Sequence, residues 1–193
     1  MNKLARPGDV ICDTVDHSKG MHPHMSAPAI KSLLFKQGFD PEDYTIFTVT
    51  RHPLTMLWSY YKFFEPDENG RYNYSESHDA KTLVPFLSWM ENGRIGIGKY
   101  WANYTPDFVN DKNFSPLSLE AHIFDREGEN HVDKWFSIEE PTLIEQWLSG
   151  ILGSPVELGR VNASEDKRMP EVPEYILEKL RPQFPMECQA YDL

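Results

Sequence analysis

The chain has 193 residues, 40% hydrophobic and 13% aromatic, with 19 Lys and Arg against 30 Asp and Glu and a formal charge of −11. That length suits one domain spanning residues 1–193, and 5 Trp, 9 Tyr and 11 Phe are too many aromatics for a disordered chain. The acidic balance argues against nucleic acid or anionic lipid as a partner, so an anionic ligand needs a local basic site.

In chain order, the segment from Arg6 to Met25 holds Gly8, Gly20 and Pro23 without helical period, so it reads as a short strand, Val10 to Cys12, followed by loop. Ser26 then caps a helix whose apolar residues Ala27, Ile30, Leu33 and Leu34 fall near i, i+3, i+4 spacing, and Gly38 ends it. Tyr44 to Thr50 is β-branched and aromatic on both faces, the pattern of a strand inside a sheet. It stops at Arg51-His52, and Pro53 opens the helix LTMLWSYYKFF. The run from Glu65 to Asp79 has five acids and one Arg, with Tyr72 and Tyr74, and reads as a solvated loop.

Thr82 to Met90 reads as a further helix, and Arg94 to Phe114 as irregular. His131 to Ile138 is a candidate strand. Ser137 and Glu140 have capping-box spacing before the helix PTLIEQWLSGIL, which Gly153 closes. A last helix, about Pro173 to Leu180, precedes a Pro-broken tail. Strands alternating with helices predict a parallel α/β layer fold. No apolar run approaches the roughly 18 residues that span a bilayer, and MNKLARPGD lacks a signal core, so the expectation is a soluble, cytoplasmic protein.

Ligands of open parallel sheets sit beyond the carboxyl ends of the strands, where helix N-termini present free N–H groups. Arg51 lies at such a junction and offers a guanidinium fork suited to phosphate. Thr55, Ser59 and Lys62 share one face of the following helix, opposite the apolar stripe of Leu54, Leu57, Trp58 and Tyr61. Spacing alone leaves open an ordinary surface stripe in which Ser59 bonds back to the carbonyl of Thr55. His17, His22 and His24, near Cys12, Asp13 and Asp16, mix soft and hard donors in no recognised ligand spacing, so no metal is expected. Neutral imidazole at His22 or His24 suits a general base better, with a pair of solvated loop histidines as the plainer reading.

The stretch TIFTVTRHPLTMLWSYYKFF resembles the 3′-phosphate-binding motif of sulfotransferases that use 3′-phosphoadenosine 5′-phosphosulfate (PAPS), in their carbohydrate and membrane-type branch. There a hydrophobic strand ends in Arg-x-Pro and a Ser follows eight residues after the Arg. The resemblance assigns Arg51 and Ser59 to the cofactor's 3′-phosphate. Met56 stands where the family often has a second Arg. His22-Pro23-His24 is similar to the His-x-His pair of the uronyl and heparan 2-O-sulfotransferases, which makes His24, with His22 as alternative, the catalytic base. KWFSIEEPTLIEQWLSGILGSP and RVNASEDKR resemble the family's closing strand, helix and Asn-x-Ser segment. That late segment makes Lys167 and Arg168 further phosphate contacts, against the plainer reading of a solvated basic patch.

The implied fold is the P-loop-like three-layer α/β/α arrangement around a mainly parallel sheet. The implied reaction is sulfuryl transfer from PAPS to a hydroxyl of a carbohydrate or other small acceptor. The five acids of the 65–79 loop favour a neutral acceptor over a sulfated one. The family's Lys-Thr-Gly-Gly-Thr-Ser-like loop, which binds the 5′-phosphosulfate, has no counterpart in the 193 residues. The expectation is therefore a domain truncated at its N-terminus, with transfer poor or absent, or a nucleotide- or glycan-binding remnant of the family. A P-loop kinase is disfavoured by the lack of a Walker lysine.

Overall fold

The computed structural model describes residues 24–63, 86–91, 106–159, 169 and 171–193. They form a mixed α/β structure, mostly helical, with one parallel pair of strands. The elements are α1 (Ala27–Lys36), β1 (Phe47–Thr50), α2 (Pro53–Phe63), α3 (Phe86–Glu91), α4 (Asp107–Asp111), α5 (Leu119–Ile123), β2 (Lys134–Ser137), α6 (Pro141–Leu152), α7 (Glu174–Leu180) and α8 (Pro185–Ala190). Single 3₁₀ turns occupy Pro41–Asp43 and Arg181–Gln183. Among the described residues no helix is long and apolar enough to cross a membrane.

The predicted α1, β1, α2, β2, α6 and α7 are all present, with both strands trimmed at their ends. Gly38 (φ 85°) and Gly153 (φ 63°) take the left-handed conformation that ends α1 and α6. Of the predicted 82–90 helix, the described part is α3. The Val10–Cys12 strand and the 65–79 loop lie outside the described residues.

Three expectations are corrected. Helix α4 lies within the stretch read as irregular, because at five residues it is too short to show a period. Helix α5 escapes for the same reason. The tail after α7 is not broken by its prolines: Pro182 and Pro185 sit in the opening positions of a 3₁₀ turn and of α8, where the missing N–H costs nothing. Ser26 stands at the predicted N-cap of α1, without a side-chain bond, but Ser137 does not cap α6, whose N-cap is Glu140.

β1 and β2 run parallel in the register Phe47↔Lys134, Thr48↔Trp135, Val49↔Phe136 and Thr50↔Ser137. Asp133 locks the amino end: its N–H donates to the Ile46 carbonyl at 2.8 Å, and its Oδ2 accepts the Ile46 N–H at 2.7 Å. Side chains alternate across the pair, so Ile46, Thr48, Thr50 and Trp135 face one way and Phe47, Val49 and Phe136 the other. The first face meets α1 and α5 through Ala27, Leu119 and Ile123. The second meets α6, whose Trp147 ring lies 4.8 Å from Phe47 and 5.1 Å from Phe136.

A larger core joins α2, α3, α7 and α8. Leu54, Leu57 and Tyr61 of α2 pack with Phe86, Trp89, Leu180, Phe184 and Cys188, all buried. Trp58, Tyr61, Phe86 and Trp89 form a chain of ring contacts with centroids 4.9 to 5.9 Å apart. Ser118, fully buried, caps α5 by accepting the Ala121 N–H at 3.3 Å. Ser118→Ala should cost about 1 kcal/mol. The thermal midpoint should fall by about 2–4 °C, which circular dichroism would detect.

Candidate functional site

The carboxyl end of the β1–β2 pair carries Arg51 and leads into the helix that carries Ser59, two of the sequence-predicted site residues. β1 ends at the buried Thr50, and the exposed Arg51 follows at once. The Arg51 Nε–H donates to Thr55 Oγ1 at 3.1 Å, and the Thr55 hydroxyl donates to the His52 carbonyl at 2.9 Å. Arg51 is thereby folded onto the first turn of α2. Ser59 is exposed one turn beyond Thr55 on the same face, so the structure brings Arg51 and Ser59 to one side of the helix. Leu54 and Leu57 hold the opposite side in the core. The Lys62 side chain lies outside the described residues.

Among the described residues, the η nitrogens of Arg51 and the hydroxyl of Ser59 make no other bond. The η nitrogens, the Ser59 hydroxyl and the positive end of an 11-residue helix are the donors that a phosphate dianion requires.

His24 is half-buried ahead of α1 and stands near His122 of α5, on the layer that covers the Thr48–Thr50 face. Burial holds the His122 imidazole below its ordinary pKa, and the charge of His24 adds to the effect. His22, Lys167 and Arg168 lie outside the described residues, as do His17, Cys12, Asp13 and Asp16.

A hydrogen-bonded group that the sequence did not announce stands beside Arg51. Glu139, in the turn after β2, accepts the His52 N–H at 3.2 Å, which ties the β1–α2 turn to the β2–α6 turn. Its Oε2 accepts the Ser137 hydroxyl at 2.8 Å. The Tyr191 hydroxyl lies 2.7 Å from both Glu139 Oε2 and Ser137 Oγ, and its single proton serves one of them at a time. Ser137 Oγ also accepts the Glu139 N–H at 3.0 Å, the local turn that replaces the expected capping box.

Burial would raise the Glu139 pKa, but the bonds from Tyr191, Ser137 and His52 outweigh it and hold the carboxyl below its ordinary value. Burial, with the nearby Glu139 and Glu140, pushes the Tyr191 phenol up to about 12. Burial lowers His52 despite the opposing charge of Glu139, so its imidazole is neutral at pH 7. The His52 ring lies 5.0 Å from that of Tyr191.

A cleft of about 760 Å³ opens next to this group, lined by Lys134, Phe136, Glu139, Leu143, Trp147 and Tyr191. Its walls pair aromatic faces with carboxylates and one ammonium group. The single group of three potential metal donors among the described residues lies elsewhere, in the turn at Asp125, Glu129 and His131, with donor atoms within 4.8 Å of one another. The 2.7 Å Asp125–His131 contact and the bond from Glu129 N–H to Asp125 already occupy Asp125.

Comparison of the chain with protein-family models, with curated proteins and with solved structures returns no match.

Proposed function

We propose that the chain binds the 3′-phosphate end of PAPS or of adenosine 3′,5′-bisphosphate at Arg51 and Ser59, as part of a sulfotransferase acting on a hydroxyl acceptor. The observation that carries this reading is the pairing of an exposed guanidinium with an exposed hydroxyl on one face of α2, at the carboxyl end of a parallel strand. In transfer, the imidazole of His24 or His22 takes the acceptor's proton while its oxygen forms a bond to sulfur. The sulfur's bond to the 5′-phosphate oxygen breaks, and the bisphosphate leaves with the electron pair. Lys167 and Arg168 belong to the same reading as further phosphate contacts.

The cleft beside Glu139 lies on the α6 face of the strand pair, opposite the α1–α5 layer that carries His24, and suits a part of the acceptor remote from its reacting hydroxyl. Trp147 and Tyr191 offer ring faces and Glu139 a hydrogen-bond acceptor, while two carboxylates, Glu139 and Glu140, against the one Lys134 favour a neutral carbohydrate over a sulfated one. The reading carries with it the three-layer α/β/α fold, with β1 and β2 as two of its parallel strands, and a cytoplasmic setting. The alternative within the same family is a nucleotide- or glycan-binding remnant that does not transfer.

Isothermal calorimetry with adenosine 3′,5′-bisphosphate tests the proposal. The chain should bind it weakly, and Arg51→Ala should lower the affinity about 10- to 100-fold, the equivalent of one charge-assisted phosphate contact. Binding of the nucleotide that Arg51→Ala leaves unchanged would overturn the assignment. Arg51-dependent binding without sulfuryl transfer to any hydroxyl acceptor would favour the remnant.

A further inference from the structure

Glu120 and Glu187 are 2% and 1% exposed and stand on two short helices, α5 and α8, that pack against each other. Each caps the other's helix. Glu187 Oε1 accepts the Leu119 N–H at 2.6 Å, and Glu120 Oε1 accepts the Met186 N–H at 2.6 Å. The Oε2 atoms of both are buried without a donor from the surrounding protein. Two ionised carboxylates in this position would leave two charged oxygens unsatisfied in a poorly polarisable interior and repel each other. A single proton removes both penalties, because the Oε2–H of one acid can donate to the other.

We propose that Glu120 and Glu187 share one proton, and that this pair is a pH-sensitive clamp holding α8 against the carboxyl end of the sheet. The clamp reaches the candidate site from two directions. The Thr50 hydroxyl, directly before Arg51, donates to Glu187 Oε1 at 3.4 Å. Helix α8 also delivers Tyr191 to Glu139. Ionising the second carboxyl therefore loosens both the end of β1 and the helix that carries Tyr191.

Burial, and then the charge of Glu120, raises the Glu187 carboxyl from an ordinary 4.5 to about 7, and burial raises Glu120 as well. The sign follows. Below pH 4.5 the carboxyl is protonated whether the chain is folded or not, and the clamp's contribution is complete. Between 4.5 and about 7 the unfolded chain releases a proton that the folded one keeps, so stability falls as pH rises, and above that window the contribution is gone.

Other ionisable groups lie on or beside the two helices. His122 lies on α5 with His24 opposite it, and its lowered pKa gives a dependence of opposite sign. From α8 comes the Cys188 thiol, pushed up to about 11 by burial and then by Glu187, with Arg181 of the preceding turn opposing. From β1 comes the uncharged Thr50.

The difference between wild type and an amide variant isolates the pair. In Glu187→Gln the amide oxygen keeps the Leu119 and Thr50 bonds, while the amide N–H supplies Glu120 Oε2 with a donor at every pH. Thermal midpoints followed by circular dichroism from pH 5 to pH 8.5 should coincide near pH 5. The wild-type midpoint should then fall by several degrees more than that of the variant as pH rises from 5 to 7 and level off above that, leaving the variant the more stable protein at pH 8. Glu120→Gln supplies the same amide from the other helix and should behave alike. Variant and wild-type curves that run parallel, or both amide variants failing to fold, would overturn the clamp, since each variant retains every N–H bond of the pair.

Discussion

Phe184→Ala is expected to lower the free energy of unfolding by about 3–5 kcal/mol, the range for emptying a fully buried aromatic site. Phe184 has no exposed surface and sits at the bend between the 3₁₀ turn Arg181–Gln183 and α8, among Leu57, Ile176, Leu180 and Cys188. The bend is pinned on both sides, since the Phe184 N–H donates to the Arg181 carbonyl at 3.3 Å and its own carbonyl accepts the Cys188 N–H at 2.8 Å. The backbone therefore cannot close over the void. Because a domain has only about 5–15 kcal/mol in total, the variant should be substantially unfolded near the wild-type urea midpoint. A loss under about 1 kcal/mol would show that the α7–α8 corner is not part of the cooperative core.

Leu57→Ala should cost about 2–5 kcal/mol, whereas Ser59→Ala, two residues along the same helix, should stay within about 0.5 kcal/mol of wild type. Successive helical residues turn by about 100°, so positions 57 and 59 point to nearly opposite sides. The structure agrees, with Leu57 fully buried and Ser59 exposed. Urea titrations of the two variants make the contrast. Its functional content lies in the smaller number: a hydroxyl whose removal does not affect stability is free to meet a ligand. If Ser59→Ala proved as costly as Leu57→Ala, the hydroxyl would be a packing element and the phosphate assignment would fail.

The Arg51–Ser59 face was legible because its grammar is local. A β-branched run, an Arg, a Pro at the first helical position and an i, i+4 polar pair fix a strand, a turn and a helix face within 16 residues of sequence, Tyr44 to Ser59. The Glu139 group was not legible. Its members come from α2's entry turn, the end of β2 and the residue after α8, and Tyr191 reaches Glu139 across 52 positions with no periodic signal to announce it. Ser137 misled for a related reason: its spacing to Glu140 mimics a capping box, yet as the last residue of a strand its hydroxyl is better placed for Glu139. Glu120 and Glu187 were invisible in a different way. Each looks like a surface acid in its own segment, and only the meeting of α5 and α8 buries them.

The parallel ladder also has a consequence in time. Ile46 and Asp133, which lock its amino end, are 87 positions apart, and the Thr50–Glu187 bond spans 137. Contacts of that separation bear the full loop-closure entropy before they return any stabilisation, so they form late in folding. The Arg51–Thr55 contact spans four positions and can form as soon as α2 winds. The two halves of the site therefore differ in age during each folding event. The Arg51 turn of α2 exists first, and the Glu139–Tyr191 side closes against it only when the last and most distant segments of the chain arrive.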